Sequence, residues 1–195
     1  MPETFYVADL HFGHKNGLAF DNRPWTTIEE QDAAIIENWN NQVGYNDIVY
    51  ILGDVSWYNA TKTNEIFKQL NGEKHLVKGN HDNNLLRNVE FRNYFAEICD
   101  YKELGKGKDM IVLSHYPIPF YDNQHFGSIH LYGHVHTTPE YNMIEHMGKL
   151  FENRYKIPFK AFNVGIMVPY MRWRPQPIEK IIYNNTIQKI GEIIK

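Results

Sequence analysis

Cysteine is almost absent from this 195-residue chain, where Cys99 stands alone. One thiol excludes an intramolecular disulfide and any zinc site built on several cysteines. A lone cysteine fits a reducing cytoplasm, and a cytoplasmic location is the expectation. Long hydrophobic runs are missing too, and no stretch approaches the roughly 20 apolar residues of a membrane helix. No membrane partner is expected. Residues 1–10 lack the basic start and apolar stretch of a secretory leader. Strong charge of one sign is also missing. Twenty Lys and Arg against 23 Asp and Glu leave a formal net charge of -3, which gives no global reason to expect nucleic acid as a partner. No repeat, low-complexity segment or linker interrupts the chain. One domain over residues 1–195 is expected, long enough to bury a sizeable core.

What the chain does have is histidine, ten in all. Most of them fall at the ends of predicted strands. Short apolar runs at 4–8, 48–52, 75–78, 110–113, 129–132 and 160–164 read as strands. Thr27 and Glu30 form a capping box. Ile28, Ile35, Ile36, Trp39 and Val43 then share one helical face, and Gly44 follows as a stop. A second helix is expected over 60–70 and a weaker one over 83–95. Alternating strand and helix implies crossover units and a largely parallel sheet in the first half. In the second half, 178–183 and 186–190 flank Asn184-Asn185 and read as a hairpin. Residues 137–158 read as part helix and part loop. The expected architecture is two sheets face to face with helices outside.

The chain is organised around LVKGNHD at 76–82. An apolar run stops at Gly79, where the missing Cβ allows a sharp turn. Asn80, His81 and Asp82 then stand side by side. Asn80 offers a neutral oxygen to a metal, His81 a proton or a ligand nitrogen, and Asp82 a partner to orient His81. Four other runs share the design: Asp9-x-His11, Gly53-Asp54, Ser114-His115 and Gly133-His134-x-His136. Each follows a strand, and strand tips of an α/β sheet are where ligand sites gather. Carboxylates, an asparagine and five histidines are too rich in imidazole for magnesium or calcium alone. They suit two transition-metal ions sharing a carboxylate.

The ordered set D-x-H, GD, GNHD, a lone H and GHxH, running from Asp9 to His136, resembles the calcineurin-like metallophosphoesterase superfamily. The resemblance implies an α/β fold, a four-layer αββα sandwich with two mixed β-sheets flanked by helices. It implies one metal held by Asp9, His11, Asp54 and His136, and another held by Asp54, Asn80, His115 and His134, with Asp54 bridging. His81 would touch the scissile phosphate, with Asp82 behind it. Two cations about 3.5–4 Å apart bind phosphate oxygens and acidify a bridging water, and the hydroxide attacks phosphorus in line. A histidine that is not a ligand can protonate the leaving oxygen. The expected activity is hydrolysis of a phosphodiester in a small molecule or nucleotide. The alternatives are a phosphomonoesterase, a DNA or RNA nuclease, and a scaffold of the same fold without activity. Manganese heads the candidate metals, ahead of Fe, Zn, Ni and Co. His14 and Arg23 are candidate substrate contacts. Phe12, Trp57, Tyr58 and Tyr121 fall in loops near strand tips, as rim packing or as a surface for a base. Asn163-Val164-Gly165 stands where many relatives carry Asn-Pro-Gly.

Overall fold

A computed structural model describes residues 2–193. Its first sheet has the order β4-β3-β2-β1-β9, made of β1 (Thr4–Val7), β2 (Ile48–Ile51), β3 (Glu73–Val77), β4 (Phe95–Cys99) and β9 (Gln176–Pro177). β1, β2, β3 and β4 are parallel, and β9 is antiparallel to β1. The second sheet runs β5-β6-β7-β8, from β5 (Tyr101–Leu104), β6 (Ile111–Ser114), β7 (Ile129–Tyr132) and β8 (Ala161–Asn163). Only β5 is antiparallel there.

Side chains along β6 and β7 alternate between two cores, as the two-residue period of a strand requires. Leu113 and Leu131 enter the same large hydrophobic cluster as Tyr6 and Tyr50 of the first sheet. Val112 and Tyr132 point the other way, where Tyr141 and Ile144 of helix α5 (Pro139–Leu150) cover them. On the first sheet's side, α2 (Ile28–Gln42) contributes Ile35 and Trp39, and α3 (Ala60–Phe67) contributes Ile66 and Phe67. The result is the four-layer αββα sandwich. The capping box at the start of α2 is present, with the Thr27 hydroxyl accepting from the Glu30 N–H at 3.2 Å. Among the described residues, no helix is long and apolar enough to cross a membrane.

Two stretches differ from expectation. Residues 178–193 form one helix, α6 (Ile178–Ile193), in place of the hairpin. Ile181 and Asn185, four apart, are both buried on its inner face, and Asn184 donates to the Tyr170 carbonyl at 3.2 Å. The paired asparagines that read as a turn are contacts of a helix face. Residues 83–95 hold only a short 3-10 turn (Leu85–Arg87) and α4 (Val89–Arg92), and β4 and β5 follow unannounced. These edge strands carry Glu97, Lys102 and Glu103. Edge charge of this kind protects against mispairing and hides the strand pattern. One further helix, α1 (Lys15–Phe20), lies just after the first motif.

Candidate metal centre

All five motifs emerge at the carboxyl ends of β1, β2, β3, β6 and β7. There the chain turns hard. Asp9, His11, Asp54, His134 and His136 all have positive φ, between 47° and 70°. Such conformations in non-glycine residues cost roughly 1–3 kcal/mol each and gather where function demands them. Backbone bonds hold the tips together: Asp9 N–H to the Gly53 carbonyl at 3.0 Å, and His11 N–H to the Asp54 carbonyl at 3.1 Å. The His134 N–H donates to both Asp9 carboxylate oxygens at 2.9 and 3.1 Å, joining the two sheets' tips. Gly79 is required by this crowding rather than by its φ. A Cβ there would collide with the Asp54 carboxylate and backbone nitrogen.

Two groups of ligand atoms converge, Asp9 with His11 and His136, and Asp54 with His115 and His134. Within each group the ligand atoms lie within 4.8 Å of one another. Asp54 sits between them. Its Oδ1 accepts from the His81 N–H at 3.0 Å, while Oδ2 lies 3.9 Å from His11 Nε2 and 3.6 Å from His115 Nε2. Asn80 Oδ1 is 2.9 Å from His115 Nε2 and 3.0 Å from His134 Nδ1. Nε2 of His11 and of His136 face each other at 3.0 Å.

The donor set fits divalent metals. Burial holds the His11 imidazole well below its usual pKa, and burial likewise lowers that of His134, so both rings favour the neutral form that metal binding requires. Burial pushes the Asp9 carboxyl up to about 6, against the opposing charges of His136 and His115. Two of the rings are oriented from behind. His115 Nδ1 donates to the Leu52 carbonyl at 2.8 Å, and His136 Nδ1 to Asp21 Oδ1 at 2.7 Å. Each bond leaves Nε2 free as a ligand atom.

His81 belongs to neither group. Its side chain is 44% exposed, its Nε2 is 4.0 Å from Asp54 Oδ2, and its ring packs 4.6 Å from Trp57. His11, His14, Phe20, Trp57, His81 and Thr138 line a cleft of about 300 Å³ over the clusters. His14 stacks on Trp57 with centroids 4.4 Å apart.

Two expected roles change. Asp82 is fully buried and does not face the His81 ring. Its carboxylate accepts from the backbone N–H groups of Asp54 (3.1 Å), Val55 (3.0 Å) and Gly79 (2.8 Å), clamping two tips together. Burial raises its pKa against those three bonds. Arg23, read as a phosphate contact, is 5% exposed. It is turned inward to Asp21, Gln31 and the carbonyls of Asp9 and Leu10, because a buried guanidinium needs every donor met. Asp21 and Phe20 carry no sequence signal, whereas Asn163 stands in the Asn163-Val164-Gly165 turn noted above. Asn163 donates to the His136 carbonyl at 2.7 Å and accepts from the Gly165 N–H at 2.8 Å, bracing the turn without a proline.

The chain is 40% identical over 98 residues to an uncharacterized protein of Methanocaldococcus jannaschii, a match covering 48% of this chain and 56% of that one. It thus spans little more than half the length of that relative. It is 29% identical over 162 residues to the gene 66 protein of Mycobacterium phage D29, covering 70% and 80% of the two chains. Among solved structures, a protein of unknown function from Aquifex aeolicus shares the fold, with a TM-score of 0.67 at 24% identity over 94% of this chain and 99% of that one. The family model of the calcineurin-like phosphoesterases matches residues 5–163. That match runs from β1 to the end of β8, through both sheets and every tip between them, and the chain belongs to the calcineurin-like phosphoesterase family.

Proposed function

We propose that this chain is a metal-dependent phosphoesterase that prefers diesters of a small molecule or nucleotide. The observation that carries the reading is the placement of Asp54 Oδ2 between two ligand groups, with a histidine outside both groups beside it. Asp9, His11 and His136 would hold one divalent ion, Asn80, His115 and His134 the other, and Asp54 both. Such ions supply Lewis acidity toward phosphate oxygens and a water of lowered pKa, and manganese is the first to test. His81 stands at the cleft with its ring packed against Trp57, and in this reading it would give a proton to the leaving oxygen.

The diester preference follows from charge. A monoester dianion is drawn to two cations more strongly than a diester monoanion. A site that favours the diester must therefore add no further positive side chain and must leave room for a second substituent. Among the described residues the cleft lining holds no lysine or arginine, and Arg23 is buried away from it. Phe20 and Trp57, 62% and 49% exposed, give an apolar flank for that substituent. The test is kcat/KM for bis-p-nitrophenyl phosphate against p-nitrophenyl phosphate on the manganese-loaded protein, with its metal content measured. A diester advantage is expected. A monoester advantage of about tenfold or more, some 1.4 kcal/mol of transition-state discrimination, overturns the preference. One ion per chain at saturation overturns the binuclear reading.

A further inference from the structure

We propose that Asp21, backed by Arg23, is a positioning residue that makes the Asp9–His11–His136 cluster the tighter of the two metal sites, so that the centre loads in order. The proposal rests on the binuclear reading above. Asp21 belongs to no motif. It caps the end of α1, and its side chain lies beneath the first cluster, 7% exposed. Its Oδ1 takes the His136 Nδ1 proton at 2.7 Å. Its Oδ2 is held by Arg23 through Nε at 3.0 Å and Nη2 at 2.9 Å. Arg23 is fixed in turn by Gln31 Oε1 and the carbonyls of Leu10 and Asp9, in the loop that carries two ligands. The carboxylate therefore sets the His136 tautomer, directs Nε2 into the cluster and raises the basicity of the ring.

Among the described residues, neither imidazole of the second cluster has a carboxylate behind its ring. The group behind His115 is the neutral Leu52 carbonyl, and His134 stands partly open to solvent. Bonds to an ionised acceptor are roughly twice as strong as neutral ones, so the two clusters differ. One contact works the other way. The Trp57 Nε1 proton points at His11 Nδ1 at 2.9 Å, which favours the tautomer with its proton on the ligating nitrogen. That bond is neutral, so it opposes the Asp21 effect without cancelling it.

The test is calorimetric titration of the metal-free protein with manganese alone. Two resolved steps are expected, and His134→Ala should retain the tight one. Asp21→Asn should weaken the tight step by about 10- to 100-fold while leaving the other in place, and Trp57→Phe should shift it in the opposite direction. Asp21→Asn strands the Arg23 charge, so Asp21→Asn/Arg23→Gln is titrated beside it. Nitrogen NMR of the unaltered metal-free protein should find the His136 proton on Nδ1. Two steps of equal affinity, equal weakening of both by Asp21→Asn, or a His136 proton on Nε2 would overturn the proposal. A single step of one ion overturns the binuclear reading, and this ordering with it.

Discussion

Asp82→Asn separates two accounts of the GNHD motif. If Asp82 served His81, the amide would cost activity and spare stability. The structure places it elsewhere, with Oδ2 taking the Asp54 and Gly79 N–H groups and Oδ1 taking that of Val55. An asparagine has one oxygen. Placed at Oδ2 it keeps two bonds, and its NH2 then meets the Val55 N–H, a buried donor facing a donor. A buried group left unmet costs about 1–3 kcal/mol, and losing the charge weakens the two bonds that remain. The expected loss is roughly 3 kcal/mol, a large share of the ~5–15 kcal/mol that holds a domain folded. For a chain of this length that lowers Tm by about 6–12 °C. Urea unfolding of the metal-free protein reads it as a lower midpoint at unchanged slope. The same turn carries Asp54, so the surviving folded protein should bind manganese more weakly. An unchanged midpoint with kcat reduced about 10²-fold would refute the clamp and restore the pairing with His81.

His81→Ala should lower kcat by roughly 10²-fold and leave metal content intact, because His81 belongs to neither ligand group. Loss of an ion on that substitution would make His81 a ligand. His130, fully buried between the Ile118 N–H and the Val112 carbonyl, has its pKa pushed down by burial from 6.5 to about 4. The unfolded chain binds its proton first as pH falls. Stability is therefore lost between pH 6.5 and about 4, by at most roughly 3 kcal/mol. His130→Gln should flatten that part of the metal-free unfolding curve measured by urea at each pH, and an unchanged curve would count against the assignment.

The candidate ligand set was legible because it is local. A residue type at a strand tip needs only its neighbours to be read, and the order of the five motifs carries the rest. The Thr27 capping box and the apolar face of α2 were legible for the same reason, since both are defined within a few turns of one helix. The amphipathic logic failed where the partner lies far off in sequence. Asn184-Asn185 read as a turn until Tyr170 gave one of them a helix-face bond. β4 and β5 carry edge charge instead of an apolar period.

At the site the division is sharper. The sequence by itself determined which atoms could hold metals and that they stand at strand ends. The tertiary structure alone decided what stands behind them. Asp82 and Arg23 had the right chemistry for the catalytic and phosphate-binding roles expected of them, yet each is buried. A buried charge must be met by whatever the fold brings to it: three backbone N–H groups for one, and Asp21, Gln31 and two carbonyls for the other. Asp21 lies 115 positions from the His136 ring it orients. No spacing within a motif encodes that distance, because only the folded chain closes it.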